Sequence, residues 1–199
     1  HNNVSAVVRL VKAAKRTGIK PIMGAEVTVE GGHHLTLLCR GPEGYRNLCA
    51  LLSSAHLENP RKRPEAGLEA LSRHKDGLIA MTGCRRGLVP SLILRKRFGE
   101  ARDAVRRLKS IFGPQSLVIE MSESLLPGST ALNKYLYELA GAEGLRAAVT
   151  NNVHYARKED FFVHDILTCV RTLTKLDDVH PERRLNAENY LKSEDDMAL

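Results

Sequence analysis

Apolar side chains recur at helical spacing over residues 4–16, through Val4, Val7, Val8, Val11 and Ala14, while Arg9, Lys12, Lys15 and Arg16 fall on other faces. The pattern predicts an amphipathic helix, and Gly18 is placed to end it. The period then shortens. Residues 19–30 are β-branched, residues 35–39 form a mostly apolar run, and Gly31-Gly32 between them signals a hairpin. Gly41-Pro42-Glu43-Gly44 reads as a turn leading into a helix through Tyr45, Leu48, Leu51 and Leu52. Residues 58–67, with Arg61-Lys62-Arg63 between Pro60 and Pro64, read as an exposed loop.

Beyond the loop, residues 77–81 have the composition of a buried strand, 88–111 of one or two helices broken near Gly99, and 117–121 of a further strand. Residues 130–142 and 145–150 repeat the helix and strand alternation. Such alternation predicts an α/β architecture with a largely parallel sheet, open or closed into a barrel. Residues 158–171 read as a helix carrying Phe161, Phe162, Ile166 and Leu167, and a charged tail without strand patterning runs from there to Leu199.

Composition narrows the classes. At 199 residues and 43% hydrophobic content, the chain is long enough for one main domain with a real core, and no apolar run approaches the roughly 20 residues that cross a bilayer. A soluble, cytoplasmic protein without a membrane partner is expected. Cys39, Cys49, Cys84 and Cys169 are widely spaced with no CxxC pair, so reduced thiols are expected. A net charge of +7 and a pI near 9.4 favour an acidic partner, of which nucleic acid is the commonest. The basic stretch Arg95-Lys96-Arg97, with Arg102, Arg106, Arg107 and Lys109, is the first place to look for phosphate contacts, although with no interleaved aromatics a solvated helix face is the better reading. The abrupt opening His1-Asn2-Asn3 reads as that of a fragment.

In α/β proteins ligand groups gather at the carboxyl ends of strands. The polar residues expected near strand ends are metal-ligand types: His1, Glu26, Cys84, Asn152 and His154, with His33 and His34 flanking a strand start. Imidazole, carboxylate and thiolate together suit zinc, manganese or iron. No single spacing is diagnostic, and Cys84 alone reads as a small buried hydrophobe. His33 and His34 compete for one role, since consecutive strand residues point to opposite faces. His56, His74, His164 and His180 read as surface or capping residues.

The surroundings of these residues are more specific. His1-Asn2-Asn3-Val4, Lys20-Pro21-Ile22-Met23-Gly24-Ala25-Glu26, His34-Leu35-Thr36-Leu37-Leu38 and Gly44-Tyr45-Arg46-Asn47-Leu48 occur in order, followed by Thr82-Gly83-Cys84, Thr150-Asn151-Asn152-Val153-His154-Tyr155, His164-Asp165-Ile166-Leu167 and Asn186-Ala187-Glu188-Asn189-Tyr190-Leu191-Lys192. Together they resemble the PHP (polymerase and histidinol phosphatase) domain of bacterial C-family DNA polymerases, the polymerase III α-subunit type, over nearly the whole chain. Leu167-Thr168-Cys169-Val170-Arg171 with Arg184-Leu185-Asn186-Ala187 is closer to the error-prone branch.

The resemblance implies a distorted (β/α)7 barrel, incomplete here because its first strand lies upstream, with an exposed sheet edge that favours self-association. It implies a PHP domain over residues 1–156 and a helix and tail, 157–199, leading into a polymerase module. It implies His1, Glu26, His34, Cys84 and His154 as ligands of a divalent metal, zinc or manganese, with Glu26 bridging. Asn152 stands where metal-binding relatives carry Asp, and an amide is a poorer ligand than a carboxylate, so weak or partial occupancy is expected. Magnesium belongs to the polymerase module, and DNA is a partner through the full-length enzyme, the remainder of whose chain is the nearest partner. The function implied is an accessory, structural domain of a DNA-directed DNA polymerase. An active metal-dependent phosphoesterase (3′→5′ exonuclease or pyrophosphatase) is the alternative, and a stand-alone histidinol-phosphate phosphatase relative is a third reading that the tail from His164 onward disfavours.

Overall fold

The computed structural model describes residues 1–198, so Leu199 at the end of the predicted tail lies outside the described residues. The chain divides into two compact units. The first comprises His1–Glu120 with Tyr135–Ala148, and the second comprises residues 121–134 with 149 onward.

In the first unit, helix α1 (Val7–Thr17) is capped by Gly18 in the left-handed region. Strands β1 (Gly24–Val29) and β2 (His33–Cys39) form the antiparallel hairpin around Gly31-Gly32. Helix α2 (Pro42–Leu57) starts two residues before the predicted turn ends, with Pro42 in its first turn, where a missing N–H costs nothing. A short helix, α3 (Leu68–Arg73), closes the predicted loop and had no periodic signal. Strand β3 (Leu78–Met81) precedes α4 (Leu88–Leu94) and α5 (Phe98–Phe112), and the break expected near Gly99 falls at residues 95–97, where Lys96 adopts φ 60°. Strand β4 (Leu117–Ser122), helix α6 (Ser129–Ala142) and strand β5 (Arg146–Thr150) complete a five-stranded sheet of order β1-β2-β3-β4-β5.

The sheet is mixed and open, not largely parallel. β1 and β2 pair antiparallel, as do β2 and β3, and β3 pairs parallel with β4. The two-glycine turn explains the first pairing, because a short hairpin loop leaves the second strand no other direction.

Register sorts the side chains. Val27 lies opposite Leu35, and Ala25 opposite Leu37, on one face; Glu26 opposite Thr36, and Thr28 opposite His34, occupy the other. Val27, Leu35, Leu37, Leu78, Ala80, Leu117 and Ile119 are buried, together with Leu48, Leu51 and Leu52 of α2 and Ala101, Val105 and Leu108 of α5. Helix α2 packs on β1, β2 and β3, while α5 packs on β3, α3 and α4.

Gly44 sits inside α2 because its backbone rests on that of Gly77. A Cβ at Gly44 would lie 2.0 Å from the Gly77 carbonyl oxygen, and one at Gly77 (φ 72°) 2.6 Å from the Gly44 nitrogen. The same carbonyl accepts a 2.9 Å bond from the Arg40 amide.

In the second unit, a 3-10 turn (Lys158–Asp160) leads into α7 (Phe161–Thr172), which ends at Leu173 in the left-handed region, and α8 (Glu194–Ala198) lies near the end of the described chain. Of α7 only Thr168 and Cys169 are buried; Phe162, Leu167 and Val170 are exposed. The tail is held by an isolated parallel bridge between Tyr155 and Tyr190 and by side chains. Arg183 donates to both Asp165 oxygens (2.8 and 2.7 Å) and to the carbonyls of Leu176 and Asp178, both at 2.6 Å. Asn151 donates to the carbonyls of Glu188 (2.8 Å) and Tyr190 (2.6 Å), and Asn189 returns a 3.1 Å bond to the Asn151 carbonyl, locking two of the sequence strings together.

Two expected outcomes follow from this packing. Gly44→Ala should lower stability by about 1–3 kcal/mol, because the inserted methyl meets backbone that cannot rotate away; a urea midpoint unchanged from the parent would show that α2 is not seated on Gly77. Arg183 holds the Asp165 carboxyl below the usual carboxylate range. Its stabilisation is therefore fully present above that range and is lost as pH falls through the depressed folded-state value, below about pH 4. Asp165→Asn should speed amide exchange in residues 174–183 at neutral pH, and the difference from the parent should vanish in acid.

Candidate metal centre

The polar face of the hairpin carries the site. Glu26 projects from the middle of β1, and His34 from the amino end of β2. His34 stands at a strand start, as expected, and reaches Glu26 because an antiparallel hairpin lays the start of one strand beside the end of the other. His34 Nδ1 lies 2.6 Å from Glu26 Oε1, and His1 Nε2 lies 3.1 Å from Glu26 Oε2, so one carboxylate is bridged by two imidazoles. The two rings meet edge to face at 4.3 Å. Ligand atoms of His1, Glu26 and His34 all lie within 4.8 Å of one another, with His34 buried, Glu26 half-buried and His1 exposed.

Cys84 closes the group from the loop after β3. Its Sγ is 3.6 Å from Glu26 Oε1 and 3.4 Å from His34 Nδ1. Burial, then the negative charge of Glu26 and, less, of Glu120, pushes the thiol up to about 11, so at neutral pH it is a protonated donor to Glu26. The loop is fixed by close approach to β2: Gly83 (φ 83°) would place a Cβ 2.4 Å from the His34 carbonyl oxygen, and the His34 amide donates to the Arg86 carbonyl at 3.2 Å.

His33, opposite Val29 on the apolar face, turns away from Glu26 and places its Nδ1 3.3 Å from the Arg86 carbonyl oxygen. Both histidines border a mostly apolar cavity of about 270 Å³, with Leu71, Val89 and Leu108 in its wall.

Two residues outside the candidate set position it. Asn2, buried with φ 53°, works along the outer edge of β1: its amide donates to the Glu26 carbonyl (2.8 Å), its Oδ1 accepts from the Thr28 amide (2.7 Å), and its Nδ2 donates to Thr28 Oγ1 (2.8 Å). His56 is exposed, as expected of a surface residue, and its Nε2 lies 2.8 Å from the Asn2 carbonyl oxygen, so it also anchors Asn2. The Ala66 amide takes the Thr28 carbonyl at 2.9 Å. The sheet edge expected to be open is thus occupied at Glu26 and Thr28, which removes the physical basis for self-association through those groups. Glu120, the second positioning residue, is buried; its Oε2 accepts from Thr36 Oγ1 and the Gly83 amide, each at 3.1 Å. A glutamate directly after the apolar run Leu117-Val118-Ile119 signals a buried carboxylate that must be paired, though not with which partners.

His154 and Asn152 belong to the second unit. Asn152 has φ 44°. His154 Nε2 contacts the Arg184 guanidinium, its amide donates to the Asn189 carbonyl at 2.8 Å, and its ring lies 5.3 Å from that of His164. His164 Nδ1 is buried without a hydrogen-bond partner among the described residues, and burial, then the charge of Arg184, lowers its pKa. His74 caps the carboxyl end of α3, and His180 Nδ1 accepts from the Glu182 amide at 3.2 Å. All four cysteines are free thiols, and no helix among the described residues is long and apolar enough to cross a membrane.

The chain is 51% identical, over 96% of its length, to an error-prone DNA polymerase of Symbiobacterium thermophilum, of which it covers 19%. It is 36% identical over 99% of its length to a DNA polymerase III subunit alpha of Thermus aquaticus (17% of that protein), and 33% identical over its whole length to that of Treponema pallidum (18%). The chain therefore spans about a fifth of the length of these relatives. Residues 1–124 match the sequence profile of the PHP domain, and the chain belongs to the PHP domain family.

Proposed function

We propose that this PHP domain serves a bacterial C-family DNA polymerase, of the polymerase III α or error-prone type, in DNA replication or lesion bypass. The observation that carries the proposal is the 51% identity with an error-prone DNA polymerase, sustained over 96% of the chain. On this reading nucleotide addition, with its magnesium, belongs to the polymerase module of the longer enzyme, which also brings the DNA. Residues 1–156 act as the accessory domain, built on the family's (β/α)7 plan, and residues 157–199 connect it toward that module. The test is primer extension. The complete parent enzyme should add deoxynucleotides to a primed template with magnesium while the 199-residue chain adds none; a parent enzyme without incorporation would sink the reading.

The proposal also assigns a divalent cation, zinc or manganese, to His1, Glu26, His34 and Cys84. The donor set supports it: two imidazoles, one carboxylate and one thiol suit such ions, and three of the four already converge within 4.8 Å. A bound ion would supply a water of lowered pKa and a hold on phosphate oxygens. The chain's own part is orientation. Glu26 presents both oxygens to the histidines, Asn2 fixes the backbone beside His1, Gly83 and Glu120 fix the loop that bears Cys84, and Cys84 must give up its proton to bind. This convergence also favours a second reading, an active phosphoesterase of the 3′→5′ exonuclease or pyrophosphatase kind.

Zinc titration by calorimetry separates the outcomes. The parent chain should bind about one ion, Glu26→Gln should abolish binding, and Asn2→Ala should weaken it roughly 10–100-fold, as loss of an orienting partner does. Equal affinities in all three would refute the site. His154→Ala in the same titration tests the fifth residue that the family resemblance implies, and release of nucleotides from a DNA 3′ end by the manganese-loaded chain decides for or against the phosphoesterase reading.

A further inference from the structure

The basic patch that sequence singles out is partly paired in the structure. Arg102 and Arg106 approach the buried Glu143 carboxylate at 3.4 and 3.1 Å, Lys109 Nζ donates to the Glu143 carbonyl at 2.5 Å, and Arg97 is bound to Glu100. The surplus charge lies elsewhere. The first 25 residues hold Arg9, Lys12, Lys15, Arg16 and Lys20 and no acid, so they carry +5 of the chain's net +7. All five are exposed, and none forms an ion pair among the described residues.

Helix geometry gathers them. At about 100° per residue, Arg9, Lys12, Lys15 and Arg16 fall within an arc of roughly 120° on α1. Lys15 and Arg16 in the last turn suit the helix dipole, but Arg9 and Lys12 lie too far from that end to be explained by it. Ala14 is buried and Val7 and Val11 half-buried, so the apolar stripe of α1 is committed inward; exposed Val8 and Leu10 are too little to insert into lipid. What remains is a purely electrostatic face whose partner is a dense, regular polyanion.

We propose that the basic face of α1 binds the phosphate backbone of duplex DNA, independently of sequence. The choice of DNA as the polyanion rests on the polymerase reading above; the face itself does not. Each Lys or Arg that neutralises a phosphate releases condensed counterions, so binding weakens steeply with salt.

The test is fluorescence anisotropy of a labelled 20-base-pair duplex titrated with the 199-residue chain between 50 and 200 mM salt. Four phosphate contacts predict a log–log slope of roughly −3.6, or about a 100-fold loss of affinity over that range. Replacing Arg9, Lys12, Lys15 and Arg16 by Gln, a good helix former at exposed positions, should flatten the slope to near zero with an unchanged circular dichroism spectrum. Replacing Arg95, Lys96 and Arg107 by Gln should leave the slope as it is. Arg9→Gln and Lys12→Gln alone should each remove about 0.9 from it. A four-site variant with the parent slope would overturn the proposal, as would tighter binding to vesicles of 30% phosphatidylserine in phosphatidylcholine than to the duplex. The polymerase reading fails by a different experiment, primer extension by the complete parent enzyme, so the two failures are distinguishable.

Discussion

The pairing of β1 with β2 is the constraint on which the rest depends. With Glu26 opposite Thr36 and Val27 opposite Leu35, Val27, Val29, Leu35 and Leu37 share the core face of the hairpin while Glu26 and His34 share the face of the site. A slip of one residue would reverse both at once, burying Glu26 among leucines and exposing Val27 and Val29. Core and site are thus specified by a single register. The Gly31-Gly32 turn sets it locally, and the close contact of Gly44 with Gly77 clamps α2 over the strands it packs on.

The site is then completed mainly by backbone. Asn2 behaves as a one-residue strand, satisfying the outward groups of Glu26 and Thr28 and leaving His1 beside the Glu26 carboxylate. On the other side, the loop carrying Cys84 is pressed against the His34 carbonyl so closely that only glycine fits at position 83. Neither device adds a ligand. Both limit the freedom of groups that do converge, which is where affinity at a metal site is gained or lost.

Most of the fold was legible because its elements follow strong periodic signals: α1 with its terminating glycine, the hairpin, and the helix and strand alternation after Gly77. The direction of β1 against β2 was legible from the Gly31-Gly32 turn, but the antiparallel pairing of β2 with β3 was not, because a strand's residue pattern reads the same either way. Helix α3 is short enough that two apolar residues suffice for it, and Gly44 disguised the start of α2 because a packing glycine looks like a turn glycine. At the site, His1, Glu26, His34 and Cys84 were recognisable through the strings around them. Asn2 and Glu120 were not, since a hydrogen-bonding role across an edge or beneath a loop depends on contacts between residues 24 to 84 positions apart, beyond the reach of any local motif.

Charge shows the same limit from the other side. A net charge describes the whole chain, whereas a phosphate responds to cations within about a Debye length, roughly 10 Å at 0.1 M salt. Helix α5 has the denser run of arginines, yet the Glu143 carboxylate lies against two of them. Helix α1 has fewer cations but lies in a stretch whose first 25 residues hold no acid, and its half-buried apolar stripe turns the cations outward together. The difference between the two helices is therefore not in how many positive groups they hold but in whether the fold supplies a negative one beside them, and only the three-dimensional arrangement reveals that.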